Sequence, residues 1–147
     1  MDIHDIDSAC RRASEHDWLE NVVLYQRGGG DLNALCWLGF AMILLAAEHE
    51  QIDVARWLVE HGEINLPDSQ GARPLHIAVD IDTDGAVQQR CPFTFRTTRA
   101  FLALGADPAL TDRGGSSPRG WVGEFGLEAL RLYDDVVRTT RAMTPTG

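Results

Sequence analysis

Two apolar stripes with spacings of three and four residues lie between positions 42 and 60 of the chain. The first stripe consists of Ile43, Leu44, Ala46 and Ala47, and the second of Ile52, Val54, Ala55, Leu58 and Val59. This periodicity is typical of amphipathic helices that bury one face. A single pair of such helices cannot bury both stripes, so we expect neighbouring helix pairs to stack on one another.

Further helices are predicted before and after these stripes. The pattern favours helices at 3–14, 18–27 and 127–141, with a frayed tail at 142–147. Pro74 and Pro118 stand where a helix would begin, and Gly62 and Gly105 stand where a left-handed cap would end one. The longest apolar run, 34–47, has fourteen residues. It is too short to cross a bilayer and is predicted to be a buried helix.

Three segments of the chain share one order of features. Each has a glycine, a short helical stretch, a break, a second helical stretch and a turn, at 39–65, 71–108 and 112–133. Gly39, Gly71 and Gly115 mark the starts and are separated by 32 and 44 residues. The chain therefore reads as an internal repeat in which one unit carries an insertion.

The chain resembles the ankyrin-repeat family, whose signature is T-P-L-H-x-A with a period of about 33 residues. Residues 74–78 read Pro-Leu-His-Ile-Ala, with Arg73 in place of the usual threonine, and 105–107 match the family's Gly-Ala-Asp loop. The resemblance implies an all-α solenoid of about four helix–turn–helix repeats with short hairpin loops. The expected single domain is 1–141, with repeats near 2–33, 34–66, 67–109 and 110–141 and the insertion in the third. It also implies that His76 holds hairpins together through hydrogen bonds.

Partner contacts in this family lie on the hairpin tips and on the exposed edge of the first helix of each repeat. Carried over, these positions are Trp37, Leu38, Phe40, Glu48 and His49; Ser69, Gln70, Ala72 and Asp80; and Arg113, Gly114, Ser116, Glu124 and Phe125. Apolar bulk at 37–40 is typical of an interface hot spot. The alternative is that the degenerate first repeat packs over these residues.

The insertion, 80–91, reads DIDTDGAVQQRC. Asp80, Asp82 and Asp84, followed by a glycine, match the first half of a calcium loop. Cys91 stands where that loop needs its bidentate glutamate, and a proline follows it. Three interpretations stay open: a calcium loop, a partner-recognition loop using Gln88, Gln89 and Arg90, and a solvated acidic loop.

The composition and net charge of the chain narrow the range of possible functions. Thirteen basic residues, all arginine, against 22 acidic residues give a net charge of −9. This charge argues against binding nucleic acid or an anionic membrane. The absence of lysine excludes lysine chemistry and hints at a GC-rich bacterial genome. Three cysteines without a C-x-x-C pair, and a start without the order of a secretory signal, indicate a cytoplasmic protein.

Sequence signatures of catalysis, metal binding and cofactor binding do not appear. The chain has no H-E-x-x-H or G-x-S-x-G motif, and the glycines at 28–30 are followed by Asp31, which would repel a phosphate. We therefore predict a non-catalytic protein-interaction module without a cofactor, a monomer or weak dimer. A basic partner fits its charge, as for an acidic inhibitor or immunity-type protein. The alternatives are a calcium-responsive module and an enzyme of unrecognised type.

Overall fold

The computed structural model describes residues 18–29, 31, 42–48, 51–61 and 64–143, and every regular element in these ranges is helical. The helices are α1 (Trp18–Arg27), α2 (Met42–Glu48), α3 (Ile52–His61), α4 (Pro74–Gln89), α5 (Arg96–Ala103), α6 (Pro118–Gly123) and α7 (Leu127–Met143). The prediction of an all-α fold is thus confirmed for the described residues. The helix predicted at 3–14 lies outside them.

The helices pack in two rows that follow the order of the chain. In one row α2 contacts α4 and α4 contacts α6; in the other α1 contacts α3, α3 contacts α5 and α5 contacts α7. Contacts between α2 and α3, α4 and α5, and α6 and α7 join the rows. Each helix pair therefore packs against the next pair, as the apolar stripes require.

The core lies between the two rows and is a continuous cluster of buried side chains. It runs from Val22 on α1 through Leu44 and Leu75 to Phe101 and Tyr133, all at most 2% exposed. Ala46, Ala47 and Ala78 are fully buried, and such small side chains let packed helices approach closely.

Local signals in the sequence explain where several helices begin and end. Pro74 opens α4 and Pro118 opens α6, where a missing amide hydrogen costs nothing. Ser117 caps α6 by accepting a hydrogen bond from the Gly120 amide at 3.3 Å. Gly105 follows α5 with a φ of +105°, as predicted for a left-handed cap. Gly62 lies outside the described residues.

The predicted loop at 80–91 is wrong, because α4 continues as one 16-residue helix through Gln89. Val79, Thr83 and Ala86 are buried at helical spacing, so this part of α4 presents one face to the core. The helix ends at Arg90, which adopts the left-handed conformation with a φ of 53°. The insertion therefore lengthens a helix instead of forming a bulge.

At the other end of the chain α7 continues through Met143, two residues beyond the predicted end. Asp134, Asp135 and Arg138 on this helix are exposed, as predicted. Residues 144–147 of the predicted frayed tail lie outside the described residues.

Candidate binding surface

Two hairpin turns with the same hydrogen-bond pattern lead into α4 and α6. In the first turn, the carboxylate of Asp68 accepts from the Ala72 amide at 2.9 Å, and the Asp68 amide donates to the Ala72 carbonyl at 2.8 Å. In the second, Asp112 makes the same two bonds with Ser116 at 2.9 and 2.8 Å. The bond from Ser116, followed by one from the Trp121 indole, holds the pKa of Asp112 below its usual value. Short aspartate side chains thus fix both tips.

The tips of the two turns touch each other through backbone atoms. The Arg113 amide donates to the Gln70 carbonyl at 3.0 Å. Gly71 has a φ of +81°, and a Cβ there would lie 2.5 Å from the Arg113 nitrogen. Only glycine fits this position, because it alone combines a left-handed backbone with so close an approach.

His76 joins the same two turns through its imidazole. Its Nδ1 accepts from the Arg73 amide at 3.0 Å, so the proton lies on Nε2, which donates to the Ser116 carbonyl at 2.9 Å. The ring is fully buried, and burial lowers the pKa of His76. The expected role of His76 between hairpins is confirmed.

A second link between loops is made by Asn65. Its side chain accepts a hydrogen bond from the Asp107 amide at 3.0 Å and joins the loops after α3 and α5.

Three exposed carboxylates lie near one another on α4 and at the end of α6, and we call Asp80, Asp84 and Glu124 the acidic face. Asp80 and Asp84 are one turn apart on α4, and Glu124 directly follows α6. Partial burial, then the charges of Asp84 and Glu124, raise the pKa of Asp80. Gln88, one turn farther along α4, donates to the Asp84 carboxylate at 2.7 Å. The packing of α4 against α6 thus concentrates negative charge on one surface.

The structure leaves most of the predicted contact residues on the surface. Those with exposed positions are Ser69, Gln70, Asp80, Gln88, Gln89, Arg90, Arg113, Gly114, Ser116 and Glu124. Ala72 is buried at 3% exposure and Phe125 is half-buried against the core, so both offer little contact area. Trp37, Leu38, Phe40 and His49 lie outside the described residues, as does the side chain of Glu48, whose backbone ends α2.

The three aspartates of the calcium-loop motif do not converge. Residues two apart on a helix point to nearly opposite sides, so Asp82 faces away from Asp80 and Asp84. The Asp82 carboxylate instead accepts from the amide and hydroxyl of Thr98, both at 2.7 Å, and from the Thr97 amide at 3.3 Å. It therefore caps α5 from a neighbouring helix. Among the described residues, no group of three or more acidic, histidine or cysteine side chains could hold a metal ion.

Sequence reasoning grouped Asp80 and Asp84 as ligands of a calcium loop and missed that they share one face of a helix. The spacing of Asp80, Asp84 and Gln88 is four and four, which places them on one face of a helix. That signal is visible in the sequence, but it applies only if 80–89 is helical.

Comparison with known proteins assigns no family: no protein-family model and no curated protein matches the chain. None of the helices within the described ranges combines the length and the apolar character needed to cross a membrane.

Proposed function

We propose that the chain is an ankyrin-type array of about four helix–turn–helix repeats, within 1–141. The two hairpin turns with matching hydrogen bonds support this proposal, as do the bridging His76 and the two-row packing of successive helix pairs. Such an array presents its hairpin tips and first-helix edges along one side. The long α4 then adds surface to the third repeat.

The function that we propose is non-catalytic binding of a protein with a basic surface. The observation that carries it is the acidic face, where Asp80, Asp84 and Glu124 lie near one another on the surface of α4 and α6. Three neighbouring carboxylates repel one another, and a lysine or arginine side chain of a partner would relieve that repulsion. A cytoplasmic inhibitor or immunity-type protein would use such a surface.

The physical mechanism is recognition by a prearranged surface. The tips are fixed by the carboxylates of Asp68 and Asp112 and by the buried His76, so docking costs little conformational entropy there. Charge attraction would speed association at low salt, and affinity would fall as ionic strength rises.

Affinity capture with matched variants tests this proposal. The face variant carries Asp80→Asn, Asp84→Asn and Glu124→Gln, which keep the side-chain shapes and remove three charges. The control variant carries Asp53→Asn, Glu60→Gln and Glu128→Gln, three exposed acidic positions on α3 and α7. We expect the wild-type protein and the control to capture the same basic protein from the source cells, identified by mass spectrometry, and the face variant to lose it.

Two results would contradict the proposal. One is capture of only acidic proteins, or of none; the other is equal loss of capture in the face and control variants. Turnover in a broad hydrolase and transferase panel would contradict the non-catalytic part.

A further inference from the structure

A cleft of about 640 Å³ lies between the start of α6 and α7. Its walls come from the start of α6, from α7 and from Pro108 and Ala109 in the loop after α5. This volume is within the range of pockets that hold small molecules. The proposed function makes no use of this cleft.

The cleft is basic although the chain as a whole is acidic. Arg119, Arg138 and Arg141 line it, against one lining carboxylate, that of Asp134. The protein's net charge is −9, so three guanidinium groups around one cleft are a local reversal of charge. Such a reversal favours an anion.

Two of these arginines already have partners, and the third does not. Arg119 makes two hydrogen bonds to the Asp134 carboxylate, at 2.9 and 3.1 Å, and Arg138 contacts Asp135 at 2.6 Å. Within the described part of the chain, Arg141 has no ion pair with a carboxylate. Its guanidinium therefore has donors to offer to a ligand.

Tyr133, which lines the cleft, carries a second unmatched donor. Tyr133 lines the cleft but is only 2% exposed, and its hydroxyl has no hydrogen-bond partner among the described residues. Burial raises the pKa of Tyr133 to about 12, so the hydroxyl keeps its proton at neutral pH. The Asp134 charge also raises the pKa of this hydroxyl, whereas the charges of Arg141 and Arg119 lower it. All three of these side chains line the cleft with Tyr133. A buried donor without an acceptor is uncommon in folded proteins.

We infer that this cleft binds a small oxyanion ligand, one that carries a phosphate or carboxylate group, through Arg141 and the Tyr133 hydroxyl. Both groups are donors that lack an acceptor, and an anionic oxygen supplies one. Arg119, held in place by Asp134, adds positive charge at the same site. The half-buried Val137 and Pro108 provide apolar contact for the rest of the ligand.

Titration followed by two-dimensional NMR tests this inference, with inorganic phosphate and citrate as separate probes and sodium chloride holding the ionic strength constant. We expect one or both probes to shift the backbone resonances around 108–109, 119 and 133–141 in a saturable manner. The probe that binds more tightly shows whether phosphate or carboxylate is preferred. If neither probe shifts these resonances at millimolar concentration, the inference is wrong.

Three variants separate a specific site from diffuse attraction. Arg141→Gln and Tyr133→Phe should each weaken binding about tenfold, as for loss of a hydrogen bond to a charged group. Arg131→Gln, an exposed arginine of α7 outside the cleft, should leave binding unchanged. Equal weakening in Arg131→Gln and Arg141→Gln would overturn the inference.

Tyr133→Phe also separates a ligand contact from a structural role. Because the hydroxyl has no partner within the described protein, its removal should not lower the melting temperature of the free protein. A lower melting temperature with unchanged affinity would show that the hydroxyl serves the fold, and would overturn its assignment to the ligand.

Discussion

The contact between the two hairpin tips can be tested at a single glycine. Replacing Gly71 with alanine would put a Cβ 2.5 Å from the Arg113 nitrogen and 3.1 Å from the Asp112 carbonyl carbon. Both atoms belong to backbone, so the second turn must move away. Its hydrogen bond from the Arg113 amide to the Gln70 carbonyl would be lost. The substitution therefore separates the two hairpin turns where their backbones touch.

The expected loss of stability has three parts. A left-handed backbone costs an alanine about 1–2 kcal/mol, the steric overlap about 1–3 kcal/mol, and the lost hydrogen bond about 1 kcal/mol. We expect Gly71→Ala to lower the free energy of unfolding by about 3–6 kcal/mol.

Gly115 is the matched control, because it holds the same place in the second turn. Its φ is +84°, and a Cβ there would meet no atom within 4 Å. Only the cost of placing an alanine in the left-handed region applies. Alanine also makes the unfolded chain less flexible than glycine does, which offsets part of this cost. Gly115→Ala should therefore lower the free energy of unfolding by about 1 kcal/mol.

Urea unfolding followed by far-ultraviolet circular dichroism measures both variants against the wild-type protein. Gly71→Ala should be less stable than Gly115→Ala by at least about 2 kcal/mol. Equal losses in the two variants would refute the close approach of the turns.

The remaining predictions concern the cap of α5, the buried imidazole and the end of α4. Asp82→Ala should destabilise the protein by about 3 kcal/mol because three donors on Thr97 and Thr98 lose their acceptor, whereas Asp84→Ala should change stability by less than about 0.5 kcal/mol. Similar effects in urea unfolding would contradict the cap. Since the folded-state pKa of His76 is lowered from 6.5, the unfolded state binds more protons, and stability should fall as the pH drops below 6.5. His76→Gln should show a shallower fall; an unchanged pH profile would exclude this cause. Arg90→Gly should stabilise the protein by about 1 kcal/mol by relieving the left-handed backbone, and a lower melting temperature would contradict this.

The parts of the fold that local signals specify could be predicted from the sequence. The bounds of α1 and the starts of α4, α6 and α7 agree with the structure. Proline at a first helical position and an apolar stripe each act within one or two turns of chain. Helix positions that depend on such signals can be predicted without knowing the tertiary fold.

The extension of α4 could not be predicted from local signals. The helical conformation of this segment depends on the hydrogen bonds of Asp82 with Thr98, 16 residues later in the chain. It also depends on the burial of Thr83 and Ala86 in the tertiary structure. Alternating aspartates before a glycine suit both a cation-binding loop and a helix, so their pattern does not decide between them.

The two surfaces were accessible to prediction to different degrees. Asp80 and Glu124 of the acidic face followed from aligning the repeats, because they hold equivalent positions relative to Gly71 and Gly115. The basic cleft did not, since it forms only when Arg119 of α6 packs beside Arg138 and Arg141 of α7, and two of these arginines pair with carboxylates on the surface. From the sequence alone, these arginines are expected to be ordinary solvent-exposed charges.

The affinity of the captured partner, measured by calorimetry at low and high salt, tests the proposed function most directly. The wild-type protein and the control variant at Asp53, Glu60 and Glu128 should bind equally, and their affinity should fall as salt rises. The face variant, without the charges of Asp80, Asp84 and Glu124, should bind at least about tenfold more weakly at low salt and depend less on salt. Wild-type affinity and salt dependence in the face variant would contradict the proposal.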